Sequence, residues 1–241
     1  MGSRFSGHIQ GSDMRRLIVV RHGNTFRPGE TPTRVGGRTD LPLVESDRAR
    51  GAARLLRSLG HIPGQVFAAP LKRTLQTAEL ILDELELALP VRPAPAFTEI
   101  DYGPDENRTE DQVRLRLGRY YLAEAGLDVD ALPEERLKER GEEALALWNV
   151  RAIPPQGWRV DPEAIIAAWQ SFAAGIGQNE SVLLVSSNGI IRFAPFLLPM
   201  DERARFQAEH KLKVTTGGVC VFTRENGEWQ CPLWNASSRN G

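Results

Sequence analysis

The order in which apolar runs alternate with polar turns constrains this chain more than any other feature. Arg16 to Val20, RLIVV, is a short β-branched run that ends at Arg21-His22-Gly23-Asn24-Thr25, a polar turn containing a glycine. That is a strand delivering side chains to its carboxyl end. Next, Ala49, Ala52, Ala53, Leu55, Leu56 and Leu59 recur at helical spacing behind Ser46, a capping residue type, and Gly60 stops the run. Gln65 to Ala69 gives a second strand, and Pro70 opens a helix with Leu71, Leu75, Ala78 and Leu82 on one side. This β-α-β-α alternation predicts an α/β fold, a three-layer sandwich whose mainly parallel central sheet is covered on both faces. Ligands of such sheets bind beyond the carboxyl ends of the strands, so RHGNT sits at the expected ligand edge.

Short extended runs follow around Val91 and Phe97. The region from about 106 to 175 then changes character: its amphipathic segments are rich in Arg, Glu, Leu and Ala, broken by Leu132-Pro133 and by IPPQGW at Ile153 to Trp158. A helical insertion is expected there. Val182 to Val185, the segment Ile190 to Leu198, and runs near Val214 to Phe222 and Trp229 to Leu233 return the chain to the sheet. Residues 14–241 thus read as one domain. The first thirteen residues, rich in Gly and Ser, read as an expression remnant or a disordered arm.

The chain has 241 residues and a formal net charge of −1 at pH 7. That length suits one large α/β domain, and the charge exerts no global pull toward nucleic acid or anionic membrane, so any anion site has to be local. No apolar run approaches the roughly 18 residues of a spanning helix, and the polar amino terminus lacks the apolar core of a signal peptide. A cytoplasmic protein without nucleic-acid or membrane partners is expected; a homodimer is left open. Cys220 and Cys231 lie in two strand-like runs, GVCVF and EWQCPL, and could neighbour each other across a hairpin. Two thiols without clustered His or Cys make neither a disulfide framework nor a zinc site. Both read as buried reduced thiols, and no metal is expected.

The residue types at the ligand edge suit phosphoryl chemistry. A neutral imidazole such as His22 is a good nucleophile toward phosphorus, the guanidinium of Arg21 offers a charged fork for phosphate oxygens, and Gly23 lets the backbone turn tightly. Arg73, in the first turn of the helix that begins at PLKRT, is a second cation at the same edge. A cation near a helix amino terminus opposes the macrodipole; an anion bound there removes the conflict. A phosphomonoester also needs an acid to protonate its departing alkoxide. Phe97 to Gly103, FTEIDYG, offers Glu99 and Asp101, which alternate faces in an extended run. The pattern alone does not choose between them.

Three further features stay open on the residues alone. In LLVSSNGIIRFAPF, Leu183 to Phe196, the cluster Ser186-Ser187-Asn188 either caps the next helix or carries chemistry. Arg34 and Arg38 flank a Gly-Gly pair, and either meet a carboxylate or second phosphate on a substrate or are solvated loop charges. Arg108, Arg114, Arg116 and Arg119 read mostly as a solvated helix face balanced by Asp105, Glu106 and Glu110.

Four ordered segments, VVRHGNT, GGRTDLPL, APLKRTLQTAEL and FTEIDYG, with VSSNGIIRF later on, together resemble the histidine phosphatase superfamily, the phosphoglycerate mutase-like proteins. The resemblance implies that His22 is phosphorylated in the reaction, that Arg21 and Arg73 clasp the phosphate, that Glu99 is the proton donor, and that Asn24 lies at the phosphate-facing turn. It implies no metal and no organic cofactor. Relatives usually carry a second His followed by Gly in a stretch like SHGGVIR, and counting back from Arg192 puts Ser187 and Asn188 at those positions. Their hydroxyl and amide are expected to complete the anion pocket as neutral donors. The Trp-Glu-Gly that often follows the family's acid is also absent, replaced by Pro104-Asp105-Glu106-Asn107. The expected reaction is hydrolysis of a small-molecule phosphomonoester, a sugar or organic-acid phosphate, with Arg38 among the substrate contacts. The alternatives are a mutase-like phosphotransferase and a phosphate-ligand binding protein without turnover.

Overall fold

The computed structural model describes residues 14–225 and 227–238. The arm 1–13 lies outside the described residues. In chain order the elements are β1 (Arg15–Arg21), α1 (Asp47–Ser58), β2 (Gln65–Ala68), α2 (Lys72–Leu85), β3 (Val91–Pro93), α3 (Glu110–Glu124), α4 (Glu134–Arg151), α5 (Pro162–Ala174), β4 (Ser181–Ser186), α6 (Asn188–Ile191), α7 (Met200–Glu209), β5 (Val219–Glu225) and β6 (Glu228–Ala236).

The strands form one six-stranded sheet in the order β3-β2-β4-β1-β5-β6. The first four of that order run parallel, while β5 and β6 are added antiparallel at one edge. β1 is buried from both sides, which is why its sequence is continuously apolar rather than alternating. Ile18 and Val20 face α1 and α2, packing with Ala52, Leu56, Ala78 and Ile81. Leu17 and Val19 face the opposite layer, where Val113, Leu117, Trp148 and Trp169 come from α3, α4 and α5. All four β1 side chains are fully buried, each worth roughly 1.5–3 kcal/mol of hydrophobic stabilisation.

The predicted insertion is helical and supplies much of that second layer. α3 and α4 pair so closely that a Cβ on Gly118 would strike the Leu137 carbonyl and one on Gly141 the Arg114 carbonyl. The Cys220 thiol is buried and that of Cys231 partly so; both are free, and burial raises the pKa of each.

Three local readings differ from expectation. Ser46 does not cap α1 with its side chain; Glu45 Oε2 accepts from Arg48 N–H at 3.0 Å instead, while its Oε1 accepts from Asn24 N–H at 3.1 Å. α2 begins at Lys72, and Asp40 Oδ1, remote in sequence, accepts the Lys72 N–H at 2.7 Å. Residues 190–198 return no strand: they form the end of α6 and a 3-10 turn, and α7 follows behind Pro199 with Asp201 and Glu202 in its first turn. An apolar run bounded by a turn fits a buried helix as well as a strand; Pro195 settles it, since proline cannot donate to a sheet ladder.

Register delivers the site. β1 and β4 run in parallel from Arg16↔Ser181 to Arg21↔Ser186, so both strands end level at one edge. His22 N–H then donates to the Ser186 carbonyl at 3.1 Å, carrying the pairing one residue further.

Candidate active site

A cleft of about 950 Å³ opens at that edge. Arg21, His22, Asn24, Glu99 and Asn188 all line it, brought together from the ends of β1 and β4 and from the segment after β3. His22 is only 6 % exposed, and its Nδ1 lies 2.8 Å from the Gly23 carbonyl oxygen. A carbonyl only accepts, so Nδ1 carries the proton and Nε2 keeps its lone pair. Burial, then the positive charges of Arg21 and Arg73, hold the imidazole pKa well below its ordinary value of 6.5, outweighing the Gly23 carbonyl. The ring is therefore neutral at pH 7.

Gly23 serves a different purpose from the tight turn expected of it. Its φ is not among the positive values of the chain. Its carbonyl fixes His22, and its N–H donates to Thr77 Oγ1 at 3.0 Å, tying the turn to α2. Thr77 Oγ1 in turn donates to the Arg73 carbonyl at 2.7 Å. Asn24 is held from two sides, by Glu45 at its N–H and by the Thr216 hydroxyl, which donates to Asn24 Oδ1 at 2.6 Å.

Glu99 and Asp101 are separated by the structure. Glu99 is 7 % exposed and lines the cleft. Its Oε1 accepts from Ile100 N–H at 2.9 Å; its Oε2 accepts from Gly189 N–H at 3.1 Å and from the Tyr102 hydroxyl at 3.4 Å. Asp101 does not line the cleft: its Oδ1 accepts from Gly103 N–H at 2.8 Å and from Arg38 Nε at 2.9 Å. Gly189 is what admits the acid. A Cβ there would overlap Glu99 Oε1 and lie 3.1 Å from the carboxyl carbon.

Arg73, Ser187 and Arg38 stand apart from the cleft wall. Arg73 is fully buried behind it; Nη1 donates to the Thr39 carbonyl at 2.7 Å and Nη2 to the Gly36 carbonyl at 3.2 Å. It reaches His22 and Glu99 through its field. Ser187 is fully buried, does not line the cleft, and its Oγ has no hydrogen-bond partner. Its neighbour Asn188 faces the cleft, oriented by Oδ1 accepting from Val214 N–H at 2.8 Å. Arg38 is half exposed and occupied by Asp101 and by the Gly103 carbonyl at 2.8 Å, away from the cleft.

Several groups at the site were not singled out from sequence. Arg192, 2 % exposed, lines the cleft; it lies 4.1 Å over the Trp148 ring and donates to the Trp148 carbonyl at 2.7 Å. Burial lowers its pKa to about 10. Tyr102 also faces the cleft, its phenol pushed up by burial and by the Glu99 charge. Arg34, which the sequence left open between a substrate contact and a solvated loop charge, also lines the cleft, over the rings of Tyr102 and Trp158 at 5.3 and 4.8 Å, and pairs with Glu110 at 2.6 Å. Of the insertion arginines read as solvated, Arg114 lines the cleft and pairs with Glu142 at 2.6 Å, while Arg116 forks onto the buried Asp105. A wide cleft with cations at its inner end and a neutral, oriented imidazole suits attack on a phosphoryl group. No group of His, Cys, Asp and Glu suited to a metal occurs among the described residues, and no helix among them is long and apolar enough to cross a membrane.

The chain is similar to known proteins in sequence and in fold. The family model of the histidine phosphatase superfamily, branch 1, matches residues 17–237. The 2,3-bisphosphoglycerate-dependent phosphoglycerate mutase of Baumannia cicadellinicola is 27% identical over 141 residues, covering 57% of this chain and 58% of its own. That of Nitrobacter winogradskyi is 31% identical over 112 residues, covering 43% and 51%. The chain thus spans little more than half the length of these curated relatives. In fold, it is similar to a mycobacterial glucosyl-3-phosphoglycerate phosphatase, with TM-score 0.62 and 21% identity, covering 93% of this chain and 100% of that one. It is likewise similar to a phosphoglycerate mutase from Bacillus anthracis, with TM-score 0.64 and 22% identity, covering 93% and 94%.

Proposed function

The chain belongs to the histidine phosphatase superfamily, and on that premise we propose that it hydrolyses a small-molecule phosphomonoester through a phosphohistidine on His22. The observation that carries the reading is the His22 imidazole itself: neutral, oriented by the Gly23 carbonyl, and within the positive field of Arg21 and Arg73. Nε2 attacks phosphorus while the P–O bond to the leaving group breaks. The positive charge that grows on the ring is met by the Gly23 carbonyl at Nδ1–H. Arg21 and the Asn188 amide contact the equatorial phosphoryl oxygens, and Arg73 acts on them by its field from behind the wall.

Glu99 takes up a proton from solvent before the chemical step and gives it to the departing oxygen; it then takes one from the water that attacks the phosphohistidine, so that inorganic phosphate leaves and the imidazole returns neutral. Asn24 holds the turn that presents His22. Ser187 supports the floor under Asn188. Arg27 and Lys213 line the cleft and are exposed, and a cleft with exposed lining admits water, which supports hydrolysis rather than return of the phosphoryl group to a trapped product.

The test is phosphate release from a panel of phosphorylated metabolites by the purified protein, beside His22→Ala. Release that vanishes in His22→Ala is the expected result. Tight phosphate binding with no release from any substrate would point instead to a binding protein.

A further inference from the structure

One turn, residues 214–217 between α7 and β5, holds four of the groups at the inner end of the cleft. Val214 uses both of its backbone groups: its carbonyl accepts from Arg21 Nη1 at 2.6 Å, and its N–H donates to Asn188 Oδ1 at 2.8 Å. Gly217 N–H donates to the carbonyls of Arg21 and His22, at 3.0 and 3.2 Å. The Thr216 hydroxyl donates to Asn24 Oδ1 at 2.6 Å. The turn is itself fastened to the end of β6. Asn235 Oδ1 accepts from the Thr215 N–H at 2.8 Å and from its hydroxyl at 3.0 Å, and Trp234 Nε1 donates to the Lys211 carbonyl at 2.9 Å. A guanidinium, two amides and the backbone of the nucleophile therefore move only if this turn moves.

A side-chain amide accepts at one end and donates at the other, so a pocket for a dianion needs its amides turned the right way round. Val214 N–H can only donate, which turns Asn188 Oδ1 toward it and the Asn188 NH₂ toward the cleft. Asn24 and Thr216 also line the cleft. Resting on the hydrolase reading above, we infer that Thr216 is a positioning residue: its hydroxyl holds the Asn24 oxygen so that the Asn24 NH₂ donates to the phosphoryl group, in step with Arg21 and Asn188 on the same turn. A hydroxyl donates or accepts according to its partner, and a phosphoryl dianion in the cleft selects the pairing in which Thr216 donates and the Asn24 NH₂ faces the ligand. Asn24 thus contributes a neutral donor of its own besides steadying the turn at His22.

The test is a double-mutant cycle read by calorimetric binding of inorganic phosphate and by kcat/KM on p-nitrophenyl phosphate. Thr216→Val keeps the shape and loses the hydroxyl; Thr216→Ser keeps the hydroxyl. Thr216→Val should weaken phosphate binding and lower kcat/KM together by about twofold to tenfold, the size of one neutral hydrogen bond, while Thr216→Ser stays near wild type. Asn24→Ala should lose the contact outright, and the double variant should be no worse than Asn24→Ala, because the hydroxyl acts only through Asn24. Unchanged phosphate affinity in Thr216→Val overturns the inference. So do losses that multiply in the double variant, which would put the hydroxyl on the ligand itself, and a Thr216→Ser variant as weak as Thr216→Val, which would leave only packing. Asn235→Gly reaches the turn from outside the cleft, at a φ of 53° that suits glycine; it should weaken phosphate in the same direction, and unchanged affinity would remove the turn as the positioning element. Phosphate binding reads the contact whether or not a substrate is hydrolysed, so an intact cycle without turnover would sink the hydrolase reading alone. A wild type that binds no phosphate overturns both.

Discussion

Replacing Glu99 by Gln separates proton donation from charge and shape. The carboxylate accepts three hydrogen bonds, from Ile100 N–H on one oxygen and from Gly189 N–H and Tyr102 Oη on the other. A glutamine has one accepting oxygen, so its NH₂ must face a backbone N–H. One buried donor is left unpaired at a cost of about 1–3 kcal/mol, visible as a lower melting temperature without loss of fold. The catalytic cost depends on the substrate. An alkyl phosphate must receive a proton on its leaving oxygen, and losing a general acid typically slows such a reaction about 10²–10⁴-fold. A nitrophenyl phosphate leaves as a stabilised phenolate and barely needs the proton. Steady-state phosphate release from 2-hydroxyethyl phosphate and nitrophenolate release from p-nitrophenyl phosphate should therefore diverge in Glu99→Gln. Equal losses on both would refute Glu99 as the proton donor and leave it a positioning group.

Gly189→Ala reaches the same carboxyl from the other side: its Cβ would displace Glu99 Oε1, and a misplacement near 1 Å costs about 10²-fold, so alkyl phosphate turnover should fall about that much while far-UV circular dichroism is unchanged. The lowered pKa of His22 sets the acid limb of kcat/KM: the nucleophile stays neutral as pH drops through 6.5, and the rate declines only when pH passes the lower folded value, which an imidazole NMR titration locates. The linked stability has the same sign, since the unfolded chain takes up the proton first; the His22 contribution is complete above the unfolded pKa and is lost as pH falls from there through the folded one. Ser187→Ala removes a hydroxyl that makes no hydrogen bond, so phosphate affinity by calorimetry should change less than about twofold; a tenfold loss would place Ser187 on the ligand.

The sheet was legible because its strands bury both faces: RLIVV and the run before Ser186 can hardly be anything else beside helical repeats that end at Gly60 and begin after Pro70. The ligand edge followed from the same pattern, and with it Arg21, His22, Asn24 and Asn188. What sequence could not supply was the direction of side chains in irregular segments. Glu99 and Asp101 differ only in which neighbour claims them, Gly189 or Arg38, and both claimants are remote in sequence. Arg73 reads as a direct phosphate ligand until the Gly36 and Thr39 carbonyls are seen to occupy its fork. Arg192 escaped notice because an arginine after an apolar run looks like the end of burial, whereas the ring and carbonyl of Trp148, brought in by the insertion, carry it inside. Arg38 and Ser187 show the reverse error, since residues near a motif in sequence need not reach the cleft it builds.

The covalent intermediate is the central claim, and trapping it is the most direct measurement. Protein mixed with a turned-over phosphomonoester and quenched in alkali should carry one phosphoryl group by intact mass, stable to base and released by acid, and peptide mapping should put it on His22. His22→Ala should carry none and release no phosphate. Turnover with no phosphorylated protein at any quench time, a label on another residue, or a His22→Ala variant that keeps its rate would contradict the account.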